Sequence, residues 1–477
     1  MSWQKDKHSG GKSAAGAWRL RLRWAVWLIF AVSVALRLSA LGQVPAPYET
    51  NDEFAYLWGG MSLLRGDPPR SWSLLDVPPP YMIGTYNGPQ GQVSIVQPWF
   101  DHPPVFNIYS GLVGHLAGAQ PEQTVLRGSG VETTLWQVNL TRHRVGALVL
   151  FAATFWLMWG WLRLAIGPVA ALVAVAVLGM TQNFVIHQRL MVADNAVAPA
   201  GMLIMFALER WRRGWWTPAR TGGVVVAALV GAIGSKMIAL ALVPAIFAWT
   251  SARMRGRAAM RPLAWALAGT GAAVLVILAY AAVYGFDAYR VITAIQSQRF
   301  YDLGGLVDAI RHQPVVHVES FDEWMIGAWM LAAAGMMATA RAHRAVFAAL
   351  FGFMAGYIFL VPVDLYGWYL MPVVPFMCAA WGWGWRVAMH RPDATLTLLV
   401  LLVLAAAALN PLLHNAPAAR GAVRYLYLLA VALVLAPWGV LGDAARGGVI
   451  RWMLVLLLLV GLYQQVIGLI SMQLHLE

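Results

Sequence analysis

Two adjacent carboxylates, Asp52 and Glu53, stand in the stretch Asn51-Asp52-Glu53-Phe54-Ala55-Tyr56, just past an apolar run at residues 24–41. A charged pair at a membrane boundary is costly unless it is solvated or used, which marks it as a candidate site. A carboxylate partly screened from water can take the proton from a hydroxyl or amine as that group attacks an electrophile. Asp52 is the expected base, with Glu53 as its alternative or its support. Asp101-His102-Pro103-Pro104 adds a second acid and an imidazole. Lys236 ends Gly234-Ser235-Lys236 between two apolar runs, and Arg189 and Asp194 flank a short break between two others. Cations held there are costly unless paired or used, so they join the candidate set. Arg299 and the hydroxyls of Tyr56 and Tyr369 extend that set, while Asp101, His102 and Asp194 are placed at the acceptor or behind the reacting groups.

Each of these residues also has a plainer reading. Asp52 and Glu53 can cap a surface helix, and Asp101 before two prolines is ordinary capping chemistry. Lys236 can snorkel to the interface, Arg189 with Asp194 can be a helix-end ion pair, and Tyr369 can belong to an aromatic belt. Arg37, inside the first apolar run, either snorkels or pairs with an acid.

The elements that must position these groups are greasy. Of 477 residues, 60% are hydrophobic and 12% charged, about half the charged share of a soluble domain. The net charge of +13 suggests nucleic acid until it is mapped. Lys5 to Arg23, Arg210 to Arg220, Arg253 to Arg261, Arg341/Arg344, Arg386/Arg391 and Arg446/Arg451 all fall on one side if apolar segments alternate. That is the positive-inside pattern, so the charge reports orientation and no nucleic-acid partner is expected. The single cysteine, Cys378, excludes an intramolecular disulfide and a cysteine-based metal site. The first apolar run is longer than most signal-peptide cores and is expected to stay as an anchor.

At roughly 20 residues per span, helices are expected near 24–41, 145–163, 168–186, 192–209, 221–235, 237–252, 262–284, 324–340, 345–362, 366–386, 394–413, 422–441 and 449–472. The expected fold class is therefore an all-α integral membrane protein of about 13 transmembrane helices. Residues 1–23 form a basic cytoplasmic tail, 24–386 the main membrane domain and 387–477 a three-helix carboxyl-terminal segment, whose end lies outside. Two polar extracytoplasmic loops, 42–144 and 285–323, collect acids. In the first, Phe54, Leu57/Trp58, Met61 and Leu64, and again Val105, Ile108/Tyr109, Leu112 and Leu116, recur at helical spacing and predict two amphipathic surface helices. The prolines between them, Pro68 to Pro98, predict an irregular stretch. No internal repeat stands out, which weakens a transporter reading.

With these residues in order, the chain resembles the membrane glycosyltransferases of the GT-C class, in the branch of protein O-mannosyltransferases and aminoarabinose transferases. The resemblance rests on Asp52-Glu53 after the first span and Asp101-His102-Pro103-Pro104 at the second surface helix. It rests further on Arg142-His143-Arg144-Val145, Gln188 to Asp194, Gly231 to Lys236, Gln298-Arg299-Phe300 and Tyr366 to Pro372. It covers roughly residues 24–386. Ala55 stands where many relatives have Arg, and His102 where aminoarabinose transferases have Lys. The histidine those enzymes place before their Arg-Phe pair has no counterpart, which argues against aminoarabinose as the sugar.

The resemblance implies a plasma-membrane enzyme of a bacterial cell envelope. It would move a sugar from a polyprenyl-phosphate donor to an extracytoplasmic lipid, glycan or protein, with inversion. Lys236, Arg189, Arg299, Tyr56 and Tyr369 would hold the leaving phosphate, whose growing charge needs donors. One base suffices there, because the leaving phosphate needs no proton, unlike the carboxyl pair of most glycosidases. A divalent metal ion at Asp101 is left open, and no organic cofactor is expected. The alternatives are a polyprenyl-lipid flippase and a non-catalytic partner in envelope assembly.

Overall fold

The computed structural model describes residues 9–46, 52–88, 91–298, 313–315, 318–320, 323–337, 341–358, 360, 367–390, 397–405, 432 and 443–475. Helix α1 (Ser9–Leu38) is followed by α2 (Asp52–Leu64), α3 (Pro104–Leu116), α4 (Leu140–Ala165), α5 (Pro168–Met180), α6 (Gln182–His187) and α7 (Asp194–Arg212). Next come α8 (Pro218–Ile233), α9 (Leu242–Arg253), α10 (Arg257–Tyr284) and α11 (Phe286–Ser297). Helices Glu323–Met337, Arg341–Tyr357, Val374–His390 and Asp443–His475 follow. Three helical stretches, Leu140–Ala165, Arg257–Tyr284 and Gly448–Ser471, are by length and composition long and apolar enough to cross a membrane among the described residues. Among the described residues, shorter apolar helices stand at five of the other ten expected spans. The expected span at 422–441 lies, but for one residue, outside the described residues, as does much of 394–413. Helix α1 starts within the expected basic tail. The carboxyl-terminal helix packs on the main bundle, where Gln465 Oε1 accepts from the Gln182 amide at 3.0 Å.

Lys236 marks a true break. Proline opens α8, whose N-cap Thr217 accepts from the Arg220 amide. The helix stops at Gly234, and a 3-10 turn (Met237–Ala241) leads into α9. Ion pairs fix the direction of travel. Lys236, after α8, meets Asp194 at the start of α7, whereas Arg253, at the end of α9, lies 3.9 Å from Glu209 near the end of α7. The two ends of α7 are about 25 Å apart at 1.5 Å per residue. Helices α8 and α9 therefore run the length of α7 in opposite senses, as two segments.

Helices form over both stretches where the sequence predicts surface helices, and they cross closely. A Cβ on Gly60 would come 1.9 Å from the Asn107 carbonyl oxygen, so only glycine allows this approach. Helix α2 is buried on most of its circumference, from Glu53 through Ser62, and is an inner element more than a floating one. The all-α, irregular-loop expectation is corrected here. Strands β1 (Ser71–Ser73), β2 (Met82–Gly88) and β3 (Gly91–Val96) make an antiparallel sheet in the order β1-β3-β2. Strands β4 (Gln120–Val125) and β5 (Glu132–Gln137) make a hairpin. The prolines flank the first three strands and leave their ladders intact. The alternation at Val93 and Ile95, both buried, supplies the inward face. Helix α11 also occupies ground expected to be loop, with Ala288 and Ile292 buried and Tyr289 against Phe100 at 5.6 Å.

Candidate functional site

The site begins where α1 gives way to α2. Glu53 is fully buried and bidentate to Arg144 of α4. Its oxygens accept from Arg144 Nε at 3.0 and 3.1 Å and from Nη2 at 2.7 Å, and Oε1 also accepts the Met191 amide at 2.7 Å. Arg144 Nη1 donates to the carbonyls of Leu41 (2.9 Å) and Pro45 (2.7 Å). One ion pair thus ties together the α1–α2 connection, the start of α2, α4 and the segment before α7. Of the two acids expected to do chemistry, Glu53 has its acceptors filled by this clamp. Asp52, one position earlier in the first turn, is only half-buried. The clamp sets where the Asp52 carboxylate stands.

Three residues along α2, Tyr56 is fully buried and packs edge-on to Phe106 at 4.9 Å, with the His102 ring at 4.9 Å and Trp99 at 6.2 Å. Burial pushes its phenol well above the ordinary tyrosine value. The nearby Asp52 carboxylate, then Asp194 and Tyr369, push it further in the same direction. Tyr56 therefore keeps its proton and stands among Asp52, Asp194 and Tyr369 as a neutral hydroxyl. Asp194 is fully buried, and its Oδ2 pairs with Lys236 Nζ at 2.5 Å. The same ammonium lies 4.1 Å from the Tyr369 ring centroid, a cation–π contact. The 3-10 turn Gly367–Leu370 presents that ring, and Tyr357 Oη donates to the Tyr369 carbonyl at 3.1 Å.

The sequence-predicted residues thus divide. Asp52, Tyr56, Asp194, Lys236 and Tyr369 gather from four places between positions 52 and 369, the first two sharing α2. Lys236 is held there from the loop side too, because the Val105 amide at the start of α3 donates to the Gly234 carbonyl at 2.8 Å. Arg189 lies behind the cluster. It is fully buried and donates to the carbonyls of Leu36 (2.6 Å) and Val44 (3.1 Å). Burial and the neighbouring Arg144 charge lower its guanidinium to about 9, still a cation at neutral pH. Arg189 therefore buttresses the α1–α2 connection beside Arg144, and it pairs with that connection's carbonyls instead of Asp194.

Asp101 and His102 sit on the loop side. Asp101 Oδ2 accepts from Ser73 Oγ at 2.5 Å, and its backbone carbonyl accepts from Gln296 Nε2 of α11 at 3.3 Å. The His102 ring lies tilted against Tyr56 and edge-on to Trp99 (5.6 Å). Among the described residues no three acidic, histidine or cysteine side chains converge as a metal would need. Of the two donors to Asp101, Ser73 reaches the carboxylate and Gln296 the backbone carbonyl. Arg299 lies outside the described residues.

Two residues carry more than the sequence reading gave them. Arg144 had only its resemblance to a family arginine; its role as the partner of Glu53 needs the tertiary structure. Arg37 neither snorkels nor meets an acid. It is fully buried, donates to the carbonyls of Ser33, Leu178 and Gly179 and to Gln188 Oε1, and its guanidinium lies 3.6 Å from the Phe151 ring centroid.

No protein-family model and no curated protein matches the chain. Solved structures do. ArnT from Cupriavidus metallidurans in the apo state matches with a TM-score of 0.55 at 14% identity, over 96% of this chain and 76% of that one. The same protein bound to undecaprenyl phosphate matches with a TM-score of 0.51 at 14% identity, over 95% and 78%. The chain has a GT-C-like fold. At such low identity the likeness speaks for architecture. In this GT-C frame the first loop and its two helices are built over the Asp52–Lys236 cluster, and the apolar helices make the chain a membrane protein.

Proposed function

We propose that the chain is an inverting glycosyltransferase that takes a sugar from a polyprenyl-phosphate donor and gives it to an acceptor outside the membrane. The observation that carries this reading is the cluster of Asp52, Tyr56, Asp194, Lys236 and Tyr369, drawn together from distant parts of a fold shared with ArnT, itself solved with undecaprenyl phosphate bound. Lys236 meets the donor phosphate and offsets the charge that grows as the glycosidic C–O bond breaks. Asp194 holds the ammonium in place until then, and Tyr369 flanks it. Asp52 takes the proton from the acceptor as its oxygen or nitrogen attacks the anomeric carbon from the opposite face. Tyr56, protonated throughout, donates a hydrogen bond within the site. Glu53 acts through Arg144 by holding Asp52 at the start of α2. Arg189 stands behind this cluster as a buttress of the α1–α2 connection, and Asp101 and His102 border the acceptor side. The enzyme sits in the plasma membrane with this end of the bundle facing outward.

The test is a transfer assay with purified protein and a panel of labelled polyprenyl-phosphate sugars, native against Asp52→Asn. Transfer by the native protein that drops by orders of magnitude in the variant is the expected result. A panel without any transfer, or equal transfer by both proteins, overturns the reading. A cysteine placed at residue 90 is expected to label from outside intact cells; labelling from the inside alone would reverse the orientation.

A further inference from the structure

The far end of α7 carries a group of cations that the transfer chemistry does not use. The Arg210 guanidinium lies over the rings of Trp215 (4.9 Å), Phe206 (5.0 Å) and Trp216 (5.9 Å). Arg220, at the start of α8, lies over Trp216 at 4.3 Å, and Arg213 lies over Trp215 at 5.7 Å. Arg163, near the end of α4, is close enough to Arg210 for their charges to repel. The acid at hand, Glu209, is already engaged by Arg212 at 2.7 Å, Arg213 at 3.4 Å and Arg253 at 3.9 Å. Arg210 Nε is buried and has no hydrogen-bond partner. Rings over the faces of a guanidinium leave its in-plane N–H edge for oxygen, the geometry that phosphate takes from arginine. Trp215 is 52% exposed, and an indole beside clustered arginines at the end of an apolar helix suits the glycerol level of a bilayer.

We propose that Arg210, Arg220, Trp215 and Trp216 form a binding site for the phosphodiester headgroup of an anionic phospholipid, in the leaflet opposite the Asp52 cluster. The headgroup phosphate takes the Arg210 and Arg220 N–H edges, and Trp215 lies against the glycerol and upper acyl chains. A zwitterionic lipid brings an ammonium into the same surplus of positive charge and is disfavoured. The site stands a helix length from Lys236 and does not depend on the transfer reading.

Native mass spectrometry of the full-length protein in detergent, with phosphatidylglycerol or phosphatidylcholine added, tests it. Phosphatidylglycerol is expected to bind more tightly, and Arg210→Gln with Arg220→Gln to lose roughly 30-fold of that affinity, about fivefold per cation. Arg220→Gln alone, at an exposed position, reads the smaller loss if the double variant does not fold. Arg255→Gln with Arg257→Gln removes the same charge at exposed positions without ring contacts among the described residues, and is expected to leave binding unchanged. Equal loss in that control overturns the site in favour of a diffuse basic surface. Equal retention of both lipids overturns it as well, and so does displacement of phosphatidylglycerol by an equal concentration of glycerol 3-phosphate, which would mean that a free phosphate suffices.

Discussion

Helix α7 has a buried acid near each end, and the two are served differently. Glu209 has both oxygens taken by arginines, two of them half-exposed on the next turn of its own helix. Asp194 has one ammonium on Oδ2, while its Oδ1 lacks a hydrogen-bond partner. Its cation leans on a tyrosine ring instead of a second carboxylate. A saturated acid pegs helices together. An acid and a cation kept short of partners are poised to admit a charged guest, because Lys236 can turn from Asp194 to a phosphate without leaving a fully paired network. The neighbouring pair repeats the lesson at closer range, with Glu53 filled by Arg144 and a backbone amide and Asp52 half-open beside it.

That contrast can be broken by substitution. Asp52→Asn removes the proposed base and leaves the buried Glu53–Arg144 pair in place, and transfer is expected to fall about 10²–10⁴-fold with the melting temperature unchanged. A parallel fall in melting temperature would make Asp52 structural. Glu53→Gln leaves the Arg144 charge uncompensated in the interior and is expected to cost about 3–5 kcal/mol of stability, read as a lower thermal midpoint in detergent. Lys236→Met strands Asp194 in the same way, at a similar cost, and should also abolish binding of a polyprenyl phosphate. Unaltered lipid binding would remove Lys236 from the phosphate site. Tyr369→Leu takes away the ring beside Lys236 and should lose about 1 kcal/mol of donor affinity, whereas Tyr369→Phe keeps it. At the other end of α7, Arg212→Met is expected to shift stability by less than about 1 kcal/mol, since Arg213 still holds Glu209. A loss as large as that of Lys236→Met would erase the distinction between the ends.

The three long apolar helices, the helices at the two predicted surface stretches and the break at Lys236 were legible in the sequence because each leaves a local mark: an apolar run, a helical repeat, a glycine before a charge. Asp52, Lys236 and Asp194 could be picked out because a charge beside lipid is rarely idle. The sheet between the surface helices was obscured, since clustered prolines advertise loop while the short alternation at Val93 and Ile95 is easily drowned. The division of labour between Asp52 and Glu53 could not be read. It depends on Arg144, ninety-one positions away in the chain, and nothing local distinguishes a carboxylate that will be clamped from one that will stay open. Arg37 and Arg189 mislead for a related reason, as their partners are backbone carbonyls, which every residue has.

The backbone hydrogen bond from the Val105 amide to the Gly234 carbonyl has a mechanical consequence. The outer cover and the buried ammonium are joined by a two-residue tether. A swing of α3 away from the bundle, as a bulky acceptor arrives or leaves, drags on the chain that carries Lys236 and loosens its grip on Asp194. Movement of α3 and the pairing of Lys236 with Asp194 are thereby geared to one another.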